Sequence, residues 1–70
     1  MKVTARNIIP GTIEAIEIGQ VEAEIIVKIA PGVEMTSIIT KKSCENFKLE
    51  KGKKVYVVVK ASEVMIGMDH

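Results

Sequence analysis

Three observations predict an all-β chain. Isoleucine and valine are prominent in a sequence that is 47% hydrophobic, and β-branched residues suit pleated, half-buried surfaces. Apolar and polar residues alternate with a period of two from Val21 to Ile29, the signature of a strand with one face turned inward. Short apolar runs are separated by Pro-Gly, Gly-Gln and Gly-Lys pairs, which punctuate a chain with turns.

Each element can be justified in order. Val3 to Ile9 reads as a strand that Pro10-Gly11 interrupts, because proline inside a strand marks an edge or a bulge. The chain resumes at Thr12 and runs to Ile18. Ile16 and Ile18 share a face while Ile13 is out of phase, and one extra residue near Glu14-Ala15 restores the phase. Together these segments make one long, bent first strand. Gly19-Gln20 is a two-residue hairpin connection. Val21, Ala23, Ile25, Val27 and Ile29 form one face of the second strand, and Ala30-Pro31-Gly32 turns the chain again. Val33 to Thr40 alternates as the third strand.

The pattern changes at Thr40, which is placed to cap a helix of about two turns over Lys41 to Phe47. Cys44 and Phe47, three residues apart, would lie on one face of it and plug a barrel end. Glu50-Lys51-Gly52-Lys53 is a polar turn. Lys54 to Lys60 is a fourth strand, and its continuous apolar centre, Val55 to Val59, predicts burial on both faces. Ala61-Ser62 bends the chain into a fifth strand, Glu63 to Met68. The order β-β-β-α-β-β is the plan of a small five-stranded OB-like Greek-key barrel with a short helix between strands 3 and 4. An SH3-like barrel fits the same strands.

With 70 residues the chain is one domain, residues 1–70, with a modest core that calls for outside support. The single Cys44 forbids an intrachain disulfide, and one Cys with one His makes no zinc cluster. Oligomerisation is the support that remains. A net charge of +1 draws the chain to neither nucleic acid nor an acidic membrane. No apolar signal core follows the N-terminus and no apolar run approaches membrane-spanning length, so a cytoplasmic location is the default. His70, the last residue, is expected to be mobile.

Two stretches carry the chemistry. Val59-Lys60-Ala61-Ser62-Glu63-Val64-Met65 sets a cation, a hydroxyl and backbone N–H groups at a bend between two apolar runs. Thr4-Ala5-Arg6-Asn7 offers a matching set near the N-terminus. Cations and neutral donors with few acceptors suit a small oxyanion.

Thr4-Ala5-Arg6-Asn7, followed by the Gly11 turn, resembles the Ser/Thr-Ala-Arg-Asn opening of the molbindins, the small molybdate-binding Mop proteins related to TOBE domains. Val21-Glu22-Ala23-Glu24-Ile25, Thr36-Ser37-Ile38-Ile39-Thr40 and the stretch from Val59 to Met65 resemble further blocks of that family, in order and spacing. The resemblance covers nearly the whole chain. It implies an OB-like subunit in a homohexamer, a trimer of dimers, that holds molybdate or tungstate at subunit interfaces and catalyses nothing. No organic cofactor is implied.

On that resemblance, Arg6 and Lys60 are the candidate cations and Thr4, Ser37 and Ser62 the candidate hydroxyl donors. The backbone N–H groups of Ala5, Arg6, Ala61 and Ser62 would line anion-binding nests at the two bends. Gly19, Gln20 and Val21, with the Asn7 amide, are candidates for a second class of site near a symmetry axis.

Plainer readings stand beside these. A lysine at a strand end is ordinarily solvated, and an arginine near an N-terminus ordinarily makes a surface ion pair. Ser37 is in phase with Val33, Met35 and Ile39, which fits a buried hydroxyl bonded to backbone. Cys44 reads as a core thiol, and Met65 and Met68 as core or interface filler. A nucleic-acid-binding OB module is an alternative, but Phe47 and Tyr56 are the only aromatic residues, and a stacking platform wants more. A protein-interaction module that pairs through its strand edges is another. An enzyme has no support: there is no Ser/His/Asp set, no glycine-rich phosphate loop and no paired acids in a recognisable setting.

Overall fold

The alternation in the sequence organises one sheet. In the computed structural model, which describes residues 1–69, strands β1 (Asn7–Ile18), β2 (Glu22–Ala30), β3 (Val33–Thr40) and β4 (Lys54–Val59) form a sheet in the order β3-β2-β1-β4. All three pairings are antiparallel. Helix α1 (Lys41–Asn46) lies between β3 and β4. The sheet curls into a half-barrel, so the all-β, OB-like plan with its helix after the third strand is present. His70, expected to be mobile, lies outside the described residues.

β1 starts at Asn7 rather than Val3 and runs through Pro10-Gly11 without a break. Pro10 pairs with Tyr56 of β4, while pairing with β2 begins only at Thr12↔Lys28. Its missing N–H therefore falls where β1 has a neighbour on one side only. Gly11 sits under the end of β2: a Cβ there would lie 2.6 Å from Val27 Cγ1 and 2.9 Å from the Lys28 carbonyl oxygen. The register shifts between Ile13 and Ala15, the bulge that the out-of-phase isoleucine predicts. It turns Ile13 inward, where it joins Ala23, Ile25, Val27 and Cys44 as the buried core.

α1 starts as expected: the Thr40 hydroxyl oxygen accepts from the Ser43 N–H at 3.0 Å. It ends at Asn46, one residue short of the expected Phe47. The chain then turns through Lys48 at φ 53°, and the Lys53 ammonium donates to the Phe47 carbonyl at 2.9 Å. Phe47 swings outward and is 71% exposed, so it plugs nothing in the single chain. Leu49 packs against the core instead.

Three further expectations are corrected. The tight connection between β1 and β2 is Gln20-Val21, because the Gly19 N–H already bonds the Glu22 carbonyl at 2.8 Å. β4 is an edge strand and is not covered on both faces. Val55, Val57 and Val59 are half-buried, while Tyr56 and Val58 are exposed. No fifth strand forms over Glu63 to Met68. A one-turn 3-10 helix, η1 (Ala61–Glu63), carries the chain off the end of β4, and a strand exists only by pairing. The side chains that predict a strand there stand in the open, Met65 at 92% and Ile66 at 90% exposure. The concave side of the sheet keeps an open apolar groove of about 210 Å³ lined by Ile13, Val27, Ile39, Val55 and Val57, among others.

Candidate functional site

Antiparallel pairing of β1 with β4 builds the site. Asn7↔Val59 is the last pair of that ladder, so the residues just before Asn7 and just after Val59 leave the sheet side by side. Thr4, Ala5, Arg6, Lys60, Ala61 and Ser62 accordingly line one open cleft of about 600 Å³, with Val3 and Val58 as its apolar wall. The Asn7 amide donates to the Val59 carbonyl at 3.3 Å and ties the two exits together. Lys60 is extended at φ −68° and ψ 127°, and η1 then turns sharply. The Glu63 N–H bonds the Lys60 carbonyl at 2.9 Å and the Val64 N–H bonds the Ala61 carbonyl at 3.3 Å. The first N–H groups of such a turn have no acceptor inside it, which leaves those of Ala61 and Ser62 free of the turn's own bonds.

The cleft thus gathers two cationic side chains, two hydroxyls and backbone donors, and no carboxylate is among its lining residues. That inventory is nearly all donor. It can hold a small anion through several charge-assisted bonds, and it has no nucleophile paired with a base. Arg6 and Lys60 are exposed, so in a single chain solvent and salt screen them.

Six of the seven residues expected in the main site are brought together here, and Ser37 is not. It is half-buried and lines the apolar groove on the concave side. The second expected site is divided within one chain. Asn7 sits beside the first cleft, its amide on the Val59 carbonyl, whereas Gly19, Gln20 and Val21 follow the opposite end of β1. The Gly19 N–H is occupied within the hairpin, and the Val21 carbonyl accepts from the Lys41 N–H at 2.7 Å. Sequence reasoning missed Val58 as a wall of the cleft. Its signal is the two-residue spacing from Lys60, which sets both on one face.

Elsewhere one carboxyl departs from its ordinary value. A hydrogen bond with Glu14 raises the pKa of Glu34, which Lys28 partly opposes.

The half-barrel and its donor-lined corner define a small β domain with room for an anion, and comparison with known proteins gives its family. The sequence profile of the TOBE domain matches residues 4–66, and the chain belongs to the TOBE family, within its molbindin (Mop) group. It is 38% identical over 66 residues to "Molybdenum-pterin-binding protein 3" of Clostridium pasteurianum, covering 94% of this chain and 97% of that one. It is also 38% identical to the molybdenum transport protein ModE of Azotobacter vinelandii, but spans only 24% of that protein's length. Among solved structures, the cytoplasmic molybdate-binding protein ModG superposes with a TM-score of 0.91 at 38% identity, covering 99% of this chain and 49% of that one. ModG was crystallised with molybdate bound. These relatives are described as binding and transport proteins, not as enzymes.

Proposed function

We propose that this protein binds molybdate or tungstate reversibly and stores or buffers the anion in the cytoplasm. The observation that carries the reading is the single cleft joining Thr4-Ala5-Arg6 to Lys60-Ala61-Ser62, in a chain similar to proteins named for molybdenum and molybdate. Molybdate is a tetrahedral dianion, fully ionised at neutral pH. Arg6 and Lys60 offset its charge, and hydroxyl and backbone donors fix its orientation. Nothing in this binding requires chemistry at the metal or an organic cofactor. Selection over sulfate comes from cavity size, since charge and shape are alike. Selection over tungstate is weak, because the two anions are nearly the same size.

The binding unit is a homo-oligomer, a hexamer built as a trimer of dimers, with anions shared at subunit interfaces. Two features support assembly. The apolar tail Val64–Met68 is exposed, and the concave groove is uncovered in the single chain. A cleft open on one side also leaves part of a bound anion in water, and a second subunit closing over it strengthens every charge-assisted bond. Each bridging anion in turn stabilises the oligomer by mass action. Nucleic acid and membranes have no part in this function; among the described residues no helix is long and apolar enough to cross a membrane.

Native mass spectrometry tests the whole reading. A hexamer that gains mass with molybdate and tungstate, but not with sulfate or phosphate, is the expected result. A monomer or dimer that takes up none of the four anions sinks it, as does calorimetry showing no binding of either metal oxyanion at micromolar concentration.

A further inference from the structure

The β1–β4 register has a continuation in the sequence beyond the last pair of the ladder. Counting outward from Asn7↔Val59 sets Arg6 opposite Lys60, Ala5 opposite Ala61 and Thr4 opposite Ser62. Both exits thus carry a cation, an alanine and a hydroxyl in mirrored order. Pairing stops where this mirror begins, and like charges at directly opposed positions disfavour a longer ladder. η1 then carries the second exit away. The arrangement keeps donors for an anion, but it leaves the two halves of the cleft with little to hold them together.

Asn7 stands at the point where they part. Its half-buried amide donates to the carbonyl of its own partner, Val59, at 3.3 Å. Among the described residues this is the one side-chain hydrogen bond between β1 and β4; the others lie around α1 and the turn that follows it. No backbone bond outside the ladder engages Thr4, Ala5 or Arg6. Asn7 does not itself line the cleft.

We propose that Asn7 is a positioning residue for the oxyanion site: its amide clasps the β1 and β4 exits so that Thr4–Arg6 and Lys60–Ser62 reach one anion from both sides. This rests on the proposed function and replaces a ligand role for Asn7. Order that exists before binding does not have to be created at binding, so losing the clasp lowers affinity by the cost of bringing the exits together.

The test compares the full natural chain with Asn7→Leu, of similar size without a donor, and Asn7→Gln, which keeps one. Calorimetry with molybdate is expected to show about fivefold weaker binding in Asn7→Leu, the effect of one net hydrogen bond, and recovery of most of that loss in Asn7→Gln. Amide relaxation of the anion-free proteins supplies a second readout. In Asn7→Leu the order parameters of Arg6, Ala61 and Ser62 should fall, and return when molybdate saturates the site, while Gly19 and Val21 at the far hairpin stay unchanged. Asn7→Ala should repeat both results, and it decides the matter if leucine disturbs the strand. A natural chain that binds no molybdate overturns the proposed function and this proposal with it. With binding intact in the natural chain, natural affinity in Asn7→Leu and Asn7→Ala overturns this proposal alone. So does weaker binding with unchanged order parameters, which would make Asn7 a ligand, or a fall throughout the sheet, which would make it a support of the fold. No recovery in Asn7→Gln overturns it as well.

Discussion

Lys60 is the last residue before the chain leaves β4, and the η1 turn holds its backbone while its side chain stays exposed over the cleft. A single charge-assisted bond contributes about 1.5–3 kcal/mol. Lys60→Ala should therefore weaken molybdate binding roughly ten- to a hundredfold. It should also reduce the rise in melting temperature that molybdate produces. Calorimetry and thermal scans with and without the anion measure both, and an unchanged rise would remove Lys60 from the site. Glu34 makes a different prediction. Its carboxyl is raised above the ordinary 4.5 by its bond to Glu14. A raised carboxylate pKa means that the stabilising bond is fully present below the unfolded value and is lost as pH rises through the folded one. Above that range the two carboxylates repel. Glu34→Gln keeps a donor at every pH, so its melting temperature should gain on the natural chain more at pH 7 than at pH 4. An equal difference at both pH values would show that the Glu14 contact contributes nothing.

Elements differ in how much of their environment is local. The β1 bulge was readable because Ile13 breaks phase within its own strand, and the helix start because Thr40 caps the N–H three residues on. Removing that cap by Thr40→Ala should cost about 1 kcal/mol in a denaturant titration. No loss would mean that the helix is held by Cys44 packing and the Lys41–Val21 backbone bond without help from the cap. Burial, by contrast, depends on partners that a local pattern does not name. The run Val55 to Val59 looks like a strand covered on both faces, yet the sheet order puts β4 at an edge. Phe47 was the residue that its spacing from Cys44 points inward, but the chain turns at Lys48 and Leu49 packs against the core instead. The site follows the same rule. Its two halves are legible as bends with donors, and the ladder ending at Asn7↔Val59 joins them. Ser37 and the Asn7–Gly19 grouping came from family resemblance, and within one chain β-strand geometry holds them apart.

At the scale of the whole molecule, only five of the described residues are fully buried, a thin core for a free-standing domain. The exposed Met65, Ile66 and Met68 are the apolar surface available to supplement it. Met65→Ser with Ile66→Ser should raise the dissociation constant of the oligomer by about two orders of magnitude or more, since burying each such side chain contributes roughly 1.5–3 kcal/mol. Sedimentation over a concentration series reads the shift. A variant that assembles like the natural chain would show that the tail lies outside the contact.

The seam between β1 and β4 has one more consequence. Asn7 and Val59 are 52 positions apart in the chain, so the two halves of the cleft meet only across the longest loop closure of the sheet. Local hairpins form before such a contact does. On the proposed function, an anion therefore finds no template during early folding, and its binding would slow unfolding of the closed seam. A chain that holds its anion is one whose final seam has closed, and occupancy doubles as a signal that folding is complete.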